Sequence, residues 1–275
     1  MYLLFAFISA FSTALGTFLT RSLIQKLPAF QIVGPLFLLN AVAAIPFAVI
    51  RQDWVALTAV QLLEIVLLGA LTALGGAVVF IIIKKSSASL SIVGSALSPA
   101  MVLILSPIFL KVGVRPIQLV VVAILVMASL FPIRKLVLGI NSNLTFLLML
   151  AQGVNVGIVA ILISRLSHSG VGITQLLIIQ QIIAGLIFAA IFWPKDVPIR
   201  SYPLLIKRSA FMSFGWFLSF IAIHRGSVLV VQSILSVIPL MIVALETFVY
   251  KKRPSLTVVI SSIAVIACIT ALSVA

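Results

Sequence analysis

The chain reads as long apolar runs separated by short polar breaks. Ten runs are close to the 20 or so residues that a helix needs to cross a hydrocarbon core: roughly 2–21, 30–50, 60–83, 88–110, 116–134, 142–164, 173–193, 204–223, 227–249 and 255–274. Within each run the apolar residues are continuous and do not alternate with polar ones. That excludes a barrel of strands and leaves helix, which satisfies its own backbone in lipid. The breaks carry Lys, Arg, Pro or Gly, as at Arg51–Asp53, Lys84–Lys85, Arg134–Lys135, Pro194–Pro203 and Lys251–Pro254. Trp54 and Trp193 stand at run ends, where interfacial Trp belongs. The first run, from Tyr2, has no basic lead and no small-residue cleavage pattern, so it is read as a retained helix.

The runs also repeat. A shift of 138 lays Ser95-Ala-Leu-Ser98 on Ser233-Ile-Leu-Ser236, and Arg115-Pro116 on Arg253-Pro254. A shift of 140 lays Phe80–Ser87 on Phe220–Ser227 and Gly75 on Gly215. A shift of 144 brings Arg21 to Arg165 and Gln31 to Gln175. The expected fold is therefore all-α and integral to the membrane, with repeats over 1–138 and 139–275. Five spans per repeat is an odd number, so the second half enters from the opposite side. The result is ten transmembrane helices in two inverted five-helix repeats. Carriers that work by alternating access are built this way, with solute bound near the midplane between the halves.

Composition supports the membrane reading. Hydrophobic residues make up 63% and charged residues 8%, against about 25% charged in a soluble domain. The formal charge of +14 is spread in ones, twos and threes between apolar runs, with no basic face for nucleic acid. The odd-numbered breaks hold 13 Lys and Arg and the even-numbered breaks 5, which places the odd breaks in the cytoplasm and both termini outside. A single cysteine, Cys268, supports neither disulfide nor metal chemistry. No Gly-rich run ends in Lys-Ser or Lys-Thr, so no nucleotide loop is expected.

Ten spans, two repeats and this length resemble the drug/metabolite transporter superfamily, in its EamA-like branch. The local match is the fourth span of each repeat and the turn after it: Ser98-Pro99 through Lys111–Pro116, and Ile238-Pro239 through Lys251-Lys252-Arg253-Pro254. The resemblance implies a secondary transporter with both termini in the cytoplasm, opposite to the charge count. The turn Glu of the family pattern is absent, with Lys252 in its place in the second repeat.

Polar side chains at membrane depth face protein or a cavity. In the first span Ser9, Ser12, Thr13, Gly16 and Thr20 share one helical face, which suits a cavity wall or a tight seam. Gln152 and Asn155 lie three apart in the sixth span and offer donors and acceptors. The fourth and ninth spans carry Ser91, Ser95 and Ser98, and Gln232, Ser233 and Ser236; Pro99 and Pro239 are candidate kinks or gates. Trp216 stands at mid-span beside Gly215 and Ser219, as a candidate aromatic wall. The expected substrate-binding set is Thr13, Ser98, Gln152, Asn155, Trp216, Gln232 and Ser236. Glu246 is the candidate coupling carboxylate, with pairing to the Lys251–Arg253 cluster as the alternative. The resemblance implies that Asn40, Gln180 and Gln181 are peripheral. His168 and His224, at span ends, read as interfacial residues.

The function expected is transport of a small organic solute, such as a metabolite, amino acid or drug-like compound, across a cell (inner or plasma) membrane. The expected carrier is a monomer or homodimer with no cofactor, metal or catalytic residue. The alternatives are a membrane-embedded lipid-modifying enzyme, which needs a reactive cluster that two His and four carboxylates do not supply, and a non-transporting structural subunit.

Overall fold

The computed structural model describes residues 1–24, 29–85, 96–131, 143–192, 198–249, 251 and 256–274. Among these every regular element is a helix, and there is no strand. The first half supplies α1 (Tyr2–Ile24), α2 (Ala29–Arg51), α3 (Ala59–Lys85), α4 (Ser98–Phe109) and α5 (Pro116–Leu130). The second supplies α6 (Asn143–His168), α7 (Ile173–Ile191), α8 (Tyr202–Arg225), α9 (Val228–Leu235), α10 (Ile238–Val249) and α11 (Leu256–Val274). Val, Ile and Phe are frequent in these helices despite modest helix propensity, because lipid leaves the backbone no other way to pair.

Seven stretches are long and apolar enough to cross a membrane: α1, α2, α3, α6, α7, α8 and the joined α9–α10. The helices α4 and α5 and residues Val259–Val274 of α11 are apolar but shorter. Residues 86–95, which include the start of the expected span 88–110, lie outside the described residues, as do residues 132–142 after α5. Ser91 and Ser95 fall in the first of these gaps. Large apolar side chains point outward on most helices, among them Leu4, Phe11, Val42, Leu63, Ile104 and Ile263. An exterior so uniformly apolar is solvated by lipid and not by water.

Helix contacts follow the repeat. With α1 equivalent to α6, α2 to α7, α3 to α8, α4 to α10 and α5 to α11, the main pairings come in matched sets. The pairing of α1 with α8 is matched by that of α6 with α3. The pairing of α4 with α6 is matched by that of α10 with α1, and α3 with α7 by α8 with α2. The pairs α2–α7 and α5–α11 map onto themselves. Small residues set the close approaches: Ala6, Ala10 and Ala14, four apart on α1, are fully buried.

The ninth span is interrupted. Pro239 has no N–H to give the carbonyl of Leu235, so α9 ends and α10 begins at Ser236-Val237. The Val237 N–H turns back to Ile234 (3.1 Å), and the Ser236 hydroxyl donates to the Ser233 carbonyl (2.7 Å) that the break releases. Pro99 likewise stands in the first turn of α4. Both prolines open a helix, and neither kinks a helix interior.

On the face that holds the N-terminus of α1, the two halves are clasped. The Asp53 carboxylate accepts hydrogen bonds from Arg51 Nε (2.9 Å) and from the Ile173 N–H at the start of α7 (2.9 Å). The Thr174 hydroxyl donates to its other oxygen. Gln175 pairs with both backbone groups of Val55 (3.2 and 2.9 Å), and Arg165 forms an ion pair with Glu64 (2.9 Å). Gly172 abuts the Asp53 backbone so closely that any Cβ there would collide with its carbonyl.

Candidate functional site

A cavity of about 230 Å³ opens between the two halves. Its polar wall begins on α1, where Ser9, Thr13, Thr17 and Thr20 form a ladder. At 1.5 Å per residue that ladder runs about 16 Å along the helix. From the second half come Gln152 and Asn155 on α6, Gln180 on α7, Arg208 and Ser219 on α8 and Gln232 on α9. Phe37, Phe80, Trp216 and Phe220 supply aromatic wall, and Trp216 lies 6.4 Å from the Phe37 ring.

Five of the seven expected substrate residues line this space: Thr13, Gln152, Asn155, Trp216 and Gln232. Ser98 stands behind the wall and donates to Gln232 Oε1 at 3.0 Å. Ser236 is buried at the α9–α10 break, with its hydroxyl committed to Ser233. Glu246 is half-buried on α10 and does not line the cavity, and no Asp or Glu is among the described lining residues. The small-polar face of α1 serves both expected purposes. Ser9, Thr13 and Thr20 face the cavity, whereas Ser12 donates to the Phe211 carbonyl of α8 (2.7 Å) and Gly16 leaves room for Met212.

Thr13 and Asn155 occupy equivalent places. Each lies against a glycine of the opposite half, and those glycines are themselves equivalent by the shift of 140. A Cβ on Gly215 would sit 2.7 Å from Thr13 Oγ1, and one on Gly75 would sit 2.5 Å from Asn155 Nδ2. The Asn155 amide also donates to the Leu71 carbonyl (3.1 Å), which leaves Oδ1 without a protein partner. Gln152 Oε1, Gln180 Oε1 and Ser9 Oγ are likewise buried and unpaired. Buried polar atoms are nearly always hydrogen-bonded; of the eight unpaired side-chain atoms among the described residues, these four line one cavity and can bond a guest, whereas those of Ser129, Gln181, Ser209 and His224 lie outside its lining.

Two expectations need correction. Arg208, counted among the loop charges, lies on α8 at 6% exposure and faces the cavity. Its Nε donates to Thr20 Oγ1 and its Nη1 to Asn40 Oδ1, both at 3.0 Å. The odd-side charge excess thus falls by one. Asn40, Gln180 and Gln181 are not peripheral. Gln180 lines the cavity, and Asn40, 1% exposed, links Arg208 to Gln181 Oε1 (3.0 Å). The sequence disguises Arg208 because it follows Lys207 at the head of an apolar run, where a basic pair reads as a flank; Lys207 is indeed exposed. Among the described residues no cluster of His, Cys, Asp and Glu could hold a metal.

These features define a multi-pass membrane protein of two related helical halves, with a polar-walled cavity between them. The sequence model of the EamA-like transporter family matches residues 1–133 and 143–274. The chain belongs to the EamA-like transporter family, within the drug/metabolite transporter superfamily. A crystal structure of a protein 14% identical to it shares the fold, with a TM-score of 0.74 over 98% of this chain and 96% of that one. No curated protein sequence matches it.

Proposed function

We propose that the protein is a secondary carrier of ten spans in two inverted repeats. It binds one small organic solute in the cavity and passes it across a cell membrane by alternating access. The observation that carries this reading is the cavity wall. Both halves contribute to it, and it presents buried, unpaired hydrogen-bonding atoms from α1, α6 and α7. Such atoms are costly to bury, and a bound solute satisfies those that line the cavity.

The volume favours a metabolite-sized solute. About 230 Å³ lies below the roughly 300–1,000 Å³ of sites for drug-sized ligands. Thr13, Gln152, Asn155, Trp216 and Gln232 contact the solute, and Ser98 positions Gln232. The α9–α10 break at Pro239 and the start of α4 at Pro99 are the hinge points.

Reconstitution into liposomes tests the reading. Solute uptake and efflux are screened with and without a pH gradient. Saturable movement of a small solute, abolished by Asn155→Leu, is expected. If no solute moves and none binds, the carrier reading is wrong.

A further inference from the structure

Arg208 is a charge that the fold does not require. The shift of 140 places it opposite Leu68, which is fully buried on α3 in the first half. The same position in the same architecture thus accepts an apolar side chain. Of its two partners, Asn40 is particular to one half. Asn40 corresponds, by the shift of 144, to Ala184, which is fully buried. An arginine at membrane depth costs several kcal/mol unless its charge is met. Thr20 and Asn40 satisfy two of its five N–H donors with neutral dipoles. Among the described residues no carboxylate pairs with it; Asp53 and Glu64 are engaged on the opposite face by Arg51 and Arg165.

Arg208 is also the sole charged residue among the described lining of the cavity. One buried positive charge balances one negative charge. The remaining wall offers the acceptor oxygens Gln152 Oε1, Asn155 Oδ1 and Gln180 Oε1, and each of these residues is more than nine-tenths buried. Resting on the carrier reading above, we infer that the solute is an organic monoanion. Its carboxylate binds the remaining guanidinium donors of Arg208, and its hydroxyl hydrogens bind the carboxamide oxygens. A neutral solute leaves the Arg208 charge uncompensated. A dianion, such as a phosphate monoester, leaves one negative charge unmatched, since Arg208 is the one charge on the described wall.

Trp216 reports occupancy. The chain has three tryptophans, so Trp54→Phe with Trp193→Phe leaves Trp216 as the single indole fluorophore. Lactate, mandelate and tropate are titrated against purified protein beside their primary amides, which match them in shape and lack the charge. At least one acid is expected to quench Trp216 saturably, with its amide at least about tenfold weaker, the scale of a charge-assisted hydrogen bond. Arg208→Gln is expected to abolish this preference and leave amide binding unchanged. Should Arg208→Gln fail to fold, the acid–amide comparison in the otherwise unaltered protein decides alone. Equal binding of acid and amide, or a preference that survives Arg208→Gln, overturns the anion site but leaves the carrier reading intact. No quench by any of the six compounds also overturns the anion site; the carrier reading then stands or falls on the solute screen.

Discussion

Two kinds of polar residue share the membrane interior, and they differ in what holds them. Asn40 is fully engaged: its oxygen accepts from Arg208 and its amide donates to Gln181. Replacing it with Leu strips a buried guanidinium of an acceptor. The expected cost is about 2–3 kcal/mol, the price of an unsatisfied buried charge partner, read as a lowered melting temperature in detergent. Gln152 has an oxygen with no protein partner. Gln152→Met is expected to leave stability unchanged or to raise it, since no bond to that oxygen is lost and a buried unpaired group is removed. The same substitution is expected to weaken solute binding, read in the Trp216 titration. If Gln152→Met unfolds the protein, the cavity wall is a structural seam. The sequence displayed Gln152, Asn155 and Thr13 clearly, because a carboxamide or hydroxyl inside an apolar run is conspicuous. Arg208 was hidden by its neighbour Lys207, since burial of one member of a basic pair depends on which face of α8 meets α1 and α2.

Elements meet where glycine permits it. On α8, a methyl at Gly215 would press on Thr13 Oγ1 at 2.7 Å and on the Ser9 carbonyl at 3.2 Å. Backbone cannot yield as a side chain can, so Gly215→Ala is expected to cost about 1–3 kcal/mol by forcing α1 and α8 apart. The clasp of Asp53 on α7 is the other element-scale device. Partial burial pushes the Asp53 carboxyl up, but hydrogen bonds from Thr174 and Arg51, with the charge of Arg51, outweigh that and hold it below the ordinary carboxylate range. A lowered value means stability that is present above the unfolded-state value of about 3.9 and is lost as pH falls through the folded one. The melting temperature of Asp53→Asn is therefore expected to lie below that of the unaltered protein at pH 7. The gap closes as the pH drops below about 4. A gap independent of pH contradicts this role. None of this clasp was legible in the sequence, because Asp53, Gly172 and Thr174 are brought together only when a loop of one half reaches a helix of the other.

For the whole molecule, periodicity and shift were informative because lipid removes alternatives: a long apolar run has one backbone solution, and two similar sets of runs pack alike. The matched helix pairings express that similarity in three dimensions. The sequence was silent on which polar groups share a space, since that depends on contacts between halves more than a hundred residues apart. The central claim is that one cavity serves both sides of the membrane, and a thiol tests it without knowledge of the solute. Cys268 is the chain's single cysteine, so Cys268→Ala provides a background for Thr13→Cys and Asn155→Cys. Membrane-impermeant thiol reagents are then applied to sealed vesicles from either face. Alternating access predicts that both cysteines react from both faces; reaction from neither face, or from one face alone, contradicts it.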